Sequence, residues 1–130
     1  MKRKSLTHLG ETEMEVLQHV WRLGKATVAQ VHERILKTRK VAYTTIMTVM
    51  KKLSDKGYLN YEKDGATYVY EPARSQEEVQ QKLISNLVDQ AFNGSSVALI
   101  QTLVKRDALS DQERDHILKL IEDLNEHGDQ

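Results

Sequence analysis

The chain of 130 residues contains no cysteine, one proline, one tryptophan and one phenylalanine, and carries no net charge, with 19 Lys+Arg against 19 Asp+Glu. Without cysteine, disulfides, thiolate metal sites and cysteine nucleophiles are excluded, and nothing points to an oxidising compartment. Zinc would need histidine and carboxylate alone, and the sequence implies no cofactor. No stretch reaches the roughly 18 apolar residues of a membrane-spanning helix, and the basic start Met1-Lys2-Arg3-Lys4-Ser5 is followed by no signal-peptide core. The expectation is a soluble cytoplasmic protein without membrane insertion. A mean hydropathy of −0.57 is polar for one globule. The apolar residues nevertheless recur at regular spacing, which disordered chains lack, so an elongated helical protein or an oligomer is expected.

A net charge of zero would by itself argue against a nucleic-acid partner, but the sum hides two opposite halves. Residues 1–74 hold 14 Lys+Arg and 8 Asp+Glu, whereas residues 75–130 hold 5 and 11. The first half is therefore +6 and the second −6. A basic segment joined to an acidic one suggests a part that faces phosphates and a part with a different task.

Met14, Leu17, Val20 and Trp21 recur at helical spacing before Gly24, a natural C-terminal stop. Thr27-Val28-Ala29-Gln30 is a capping box that opens a second helix, with Val28, Val31, Ile35 and Leu36 on its inner face. After the basic connector Lys37-Thr38-Arg39-Lys40, Ile46, Val49, Met50 and Leu53 mark the buried stripe of a third helix that ends at Gly57. Period 3.6 then gives way to a period near 2. Tyr58 to Lys63 and Ala66 to Glu71 are rich in aromatic and β-branched residues and flank Asp64-Gly65, a strong hairpin signal. Four of the five tyrosines fall here, where cross-strand packing is sufficient reason for them. Beyond Pro72, Ser75-Gln76-Glu77-Glu78 and Ser110-Asp111-Gln112-Glu113 are capping boxes of two amphipathic helices, with a shorter helix between them after the Asn93-Gly94 break.

Three helices followed by a hairpin is the order of a winged helix-turn-helix. The expected fold class is mainly α with a small β-hairpin wing: a winged-helix DNA-binding domain over residues 1–74 and a helical dimerisation domain over 75–130. With the apolar stripe of the third helix turned inward, about 100° per residue sends Thr44, Met47, Thr48 and Lys51 outward as base-reading candidates. Asp55 shares that face. Threonine hydroxyls and methyls can meet base edges and the thymine methyl, and lysine can reach guanine or phosphate. No acidic residue lies between Arg39 and Ser54. Tyr43, Thr45 and Lys52 flank the outer face, and with Lys2, Arg3, Lys4, Arg39, Lys40 and Lys63 they are the candidate backbone contacts.

Leu9-Gly10-Glu11-Thr12-Glu13-Met14-Glu15-Val16-Leu17, Val20-Trp21, Thr27-Val28, Ala42-Tyr43-Thr44-Thr45-Ile46-Met47-Thr48, Lys52-Leu53, Lys56-Gly57 and Tyr68-Val69-Tyr70-Glu71-Pro72 together resemble the penicillinase-repressor family of bacterial transcription regulators. The resemblance covers nearly the whole chain. It implies a homodimeric repressor of resistance or stress genes that binds a palindromic double-stranded DNA operator. Val79, Leu83, Leu87, Ile100, Leu103, Ile117, Ile121 and Leu124 would then find their partners across subunits. Copper-responsive members carry C-terminal cysteine pairs, which this chain lacks, so that mode of sensing is excluded. Antibiotic-responsive members are inactivated through a membrane-bound sensor protease, with cleavage at an Asn-Phe pair after the break. Here the corresponding bond is Thr102-Leu103, which departs from that pattern.

Two other classes compete. An enzyme would need a nucleophile, base or metal set, and His8, His19, His32, His116 and His127 are scattered without ligand spacing. A winged helix that binds protein without reading DNA sequence would show an apolar or acidic outer face on its third helix. Thr44, Thr48 and Lys51 argue against it.

Overall fold

The computed structural model describes residues 9–106 and 109–128. Helix α1 spans Glu11–Leu23, and the Gly10 N–H donates to Glu13 Oε1 at 2.8 Å in place of a serine or threonine cap. Gly24 ends it at φ 83°, a left-handed conformation that glycine adopts without steric cost. Helix α2, Val28–Leu36, opens on the expected capping box: the Gln30 N–H donates to Thr27 Oγ1 at 3.2 Å and the Thr27 N–H to Gln30 Oε1 at 2.9 Å. Helix α3 spans Tyr43–Asp55 and starts after Ala42, which supplies no side-chain cap.

Strands β1, Leu59–Asp64, and β2, Thr67–Pro72, pair antiparallel with Tyr61 opposite Tyr70 and Lys63 opposite Tyr68. Asp64 pairs with Thr67, so the loop is Gly65-Ala66, one residue later than Asp64-Gly65. Gly65 has φ 67°, and positive φ at the first loop residue alone is the II′ pattern that suits strand twist. The hairpin is anchored through a bridge in the α1–α2 connector, where Ala26 and Tyr70 exchange two backbone hydrogen bonds of 2.8 Å.

The core of this part joins Val16, Leu17 and Val20 of α1, Val31 and Ile35 of α2, and Ile46, Met50 and Leu53 of α3. Tyr58, Leu59 and Tyr70 close it from the hairpin side. Leu36, expected on the inner face of α2, is instead 46% exposed on its last turn.

Helices α4, Gln76–Ala91, α5, Ser96–Lys105, and α6, Asp111–Gly128, follow. The Ser110 box is reciprocal, with the Glu113 N–H donating to Ser110 Oγ at 3.1 Å and the Ser110 N–H to Glu113 Oε1 at 2.9 Å. The chain forms two compact units, one ending at Ile84 and the other beginning at Ser85. The division therefore falls inside α4, ten residues beyond the charge break after Arg74, because Val79 is buried in the first unit's core and Leu83 packs against it.

Candidate nucleic-acid interface

The inward stripe of α3 anchors that helix on α1 and α2 and leaves its opposite side bare. Tyr43, Thr44, Thr45, Met47, Thr48, Lys51, Lys52 and Asp55 are all exposed. Across from them stands the wing, and between the two runs an open groove of about 830 Å³. Its walls are the start of α2 (Thr27, Val28, Ala29), the outer side of α3 (Tyr43, Met47, Thr48, Lys51) and the wing (Ala66, Thr67, Tyr68, Tyr70). Of the expected base readers, Met47, Thr48 and Lys51 line this groove, while Thr44 is exposed on α3 outside the lining set.

The expected backbone contacts separate into four groups. Tyr43 lines the groove, its ring edge-on to His32 at 5.6 Å between centroids. Thr45, Lys52 and Lys40 are exposed, and Lys63 lies over the Tyr68 ring with Nζ 5.9 Å from its centroid. Arg39 is committed elsewhere: its guanidinium donates to Glu15 Oε1 at 2.7 Å and reaches Thr12 Oγ1 at 3.4 Å, tying the connector to α1. The Glu15 carboxylate holds the guanidinium's pKa above its ordinary value. A phosphate would have to compete with that carboxylate, so Arg39 is a weaker candidate than its sequence position suggested. Lys2, Arg3 and Lys4 lie outside the described residues.

Sequence reasoning missed Thr27, Ala29, Ala66, Thr67 and Tyr68 as groove residues. The capping box at Thr27 did mark the start of α2, where unpaired backbone N–H groups and the helix dipole favour an anion. That this start faces the same space as α3 is a product of tertiary packing. Tyr68 packs edge-on against Tyr61 at 5.2 Å, and Tyr61 also meets Tyr70 at 5.7 Å, so the tyrosines do pair across strands. Tyr61 and Tyr68 remain about half exposed, which puts their rings on the wing surface.

Two polar contacts brace the domain from beneath. Lys56 Nζ donates to Glu13 Oε1 and Oε2 at 2.9 and 2.8 Å, linking the end of α3 to the first turn of α1. Burial pushes the Glu13 carboxyl up, but Lys56 and the Gly10 N–H outweigh it and leave its pKa below the ordinary value. On the far side, Arg34 Nε donates to His19 Nδ1 at 3.0 Å, and burial together with Arg34 lowers the imidazole pKa.

Among the described residues, no group of His, Asp or Glu is arranged to hold a metal ion, and no helix is long and apolar enough to cross a membrane. Three helices, a hairpin anchored through the α1–α2 connector, and a groove between the third helix and that hairpin define a winged helix-turn-helix domain. The family model described as penicillinase repressor matches residues 9–123, and the chain belongs to that family. The transcriptional regulator BlaI of Mycobacterium tuberculosis is 36% identical over 103 residues, covering 78% of this chain and 75% of the relative. The penicillinase repressor of Bacillus licheniformis is 23% identical over 120 residues, covering 92% and 94%. The solution structure of the DNA-binding domain of the repressor BlaI matches with a TM-score of 0.51 at 28% identity, covering 60% of this chain and 93% of that one. The family is one of transcription regulators, not enzymes.

Proposed function

We propose that this protein is a cytoplasmic transcriptional repressor that binds a palindromic operator as a homodimer, with α3 in the major groove and the wing against the flanking backbone. The observation that carries the reading is the exposed side of α3: Thr44, Met47, Thr48 and Lys51 form a face with no carboxylate before Asp55, three of them inside the groove shared with the wing. A surface meant for solvent would usually intersperse glutamate, and a protein-docking helix would present a broader apolar stripe. Threonine and methionine suit methyl and edge contacts to bases, while Lys51 supplies charge. The family membership supports repression of resistance or stress genes.

The dimer rests on the second unit. Among the described residues of α5 none is buried, and Leu87, Ile100, Leu103 and Leu124 are 43, 39, 37 and 70% exposed. Such apolar area on a small helical unit is what a partner copy would cover. Ile117 and Ile121, half-buried on α6, belong to the same proposal. Val79 and Leu83 leave it, because they are covered by the first unit of their own chain. The DNA-binding part accordingly runs to Ile84 and the dimerising part begins at Ser85. Relief by a sensor protease at Thr102-Leu103 would require unwinding of α5, since both residues lie within the helix and Thr102 Oγ1 donates to the Ala98 carbonyl at 2.9 Å.

Gel shift paired with sizing chromatography tests the interface. Thr44→Ala, Thr48→Ala and Lys51→Ala should each weaken operator binding by about five- to a hundredfold, the loss expected for a base contact, with the dimer unchanged. Unaltered affinity in all three would overturn the reading.

A further inference from the structure

Helix α3 begins without the usual fastening. Its N-cap is Ala42, whose side chain can accept nothing, whereas helices generally start on serine, threonine, aspartate or asparagine that hold the first N–H groups. The connector ahead of it, Lys37 to Lys40, is exposed throughout. A recognition helix so begun would be free to fray or shift along its axis by fractions of a turn, and base reading tolerates little of either.

What fixes the entry is a side chain from the preceding helix. His32, on the middle turn of α2, donates from Nε2 to the carbonyl of Val41 at 2.7 Å. A carbonyl can only accept, so the proton is on Nε2. Val41 is the residue before the cap, and it packs against the core. The same imidazole meets the ring of Tyr43, the first residue of α3, edge-on at 5.6 Å. One ring thus holds the backbone immediately before the cap and the side chain immediately after it, and Tyr43 in turn lines the groove.

We infer that His32 is a positioning residue for operator recognition: it fixes the backbone that enters the uncapped helix and so sets where α3 begins, and thereby where Met47, Thr48 and Lys51 stand against the bases. The inference rests on the DNA-reading role proposed for α3. It assigns His32 no contact with DNA and separates it from the phosphate-facing cations, whose loss would weaken binding to every duplex alike.

The test compares, for the full chain, a duplex that the wild-type protein selects from a random-sequence pool with a scrambled duplex of equal length, using fluorescence anisotropy at one salt concentration. The readout is the ratio of the two dissociation constants, which a smaller folded fraction would leave unchanged. His32→Phe keeps an aromatic edge against Tyr43 but has no donor, and should lower the ratio by about three- to tenfold, the value of one intramolecular hydrogen bond. His32→Gln restores an amide donor near the Nε2 position and should recover the ratio to within about twofold of wild type. Amide exchange in the first turn of α3 should quicken in His32→Phe and not in His32→Gln. A wild-type ratio in His32→Phe, or equal loss on both duplexes, overturns the role of His32 alone. Failure of the wild-type protein to select any sequence overturns it together with the DNA-reading role.

Discussion

Glu13 shows how one side chain can serve two neighbours. It accepts from the Gly10 N–H at the start of α1 and from Lys56 at the end of α3, while being 92% removed from solvent. Glu13→Gln retains an acceptor for Gly10 but loses the charge facing Lys56, and should destabilise the fold by about 1.5–3 kcal/mol, the range for hydrogen bonds to charged groups. The sign of the pH effect follows from the lowered carboxyl pKa. Below its ordinary value the unfolded chain takes up the proton first, so the contribution is complete above the carboxylate range and is lost as pH falls through it. Thermal unfolding followed by circular dichroism against pH should therefore show a drop across the carboxylate range that is shallower in Glu13→Gln. His19, also held below its ordinary pKa, adds an earlier loss as pH falls through the imidazole range, because the unfolded chain protonates more readily there. Glu13 links α1 to the end of α3 and His19 links α1 to α2, so acidification should loosen the scaffold that holds these helices together.

At the scale of elements, the helix boundaries were legible because the signals that set them are local. Thr27 and Gln30 form the box that their spacing predicts, and Gly24 and Gly57 stop α1 and α3 with positive φ. The outer face of α3 was legible for the same reason, since four inward residues fix the direction of the rest. What the sequence did not disclose depends on distant partners. Ala26 is an ordinary loop residue until its backbone pairs with Tyr70. Leu36 fits the apolar spacing of α2 but falls on the last turn, beyond the reach of the core. Thr27 and Tyr68 lie 41 positions apart and share a groove only because the Ala26–Tyr70 bridge brings the wing to the start of α2. Arg39 looked like a phosphate contact because charge is visible in a sequence and Glu15, 24 residues earlier, is not visible as its partner. His32 belongs with these: nothing in its neighbourhood indicates a hydrogen bond to a carbonyl nine residues on.

For the whole molecule, the charge balance of zero is the sum of a basic part that we assign to DNA binding and an acidic part that we assign to dimerisation. The structural division after Ile84 sharpens where that assignment can be tested. A fragment ending at Ile84 should stay folded and sediment as a monomer. One ending at Arg74 loses Val79 and Leu83 from its core, and should be less stable by about 2–4 kcal/mol, given roughly 1.5–3 for a fully buried aliphatic side chain and less for a half-buried one. Analytical ultracentrifugation and denaturant unfolding of the two fragments check both statements, and a dimeric Ile84 fragment would place the subunit contact in the winged helix. The central claim, that the α3 groove reads DNA sequence as part of a two-fold dimer, is tested most directly by selecting duplexes from a random pool with the full-length protein and sequencing those retained. A two-fold operator-reading dimer should enrich an inverted repeat with half-sites about one helical turn, or a multiple of it, apart; recovery of no enriched sequence, or of a single unrepeated site, would contradict that role.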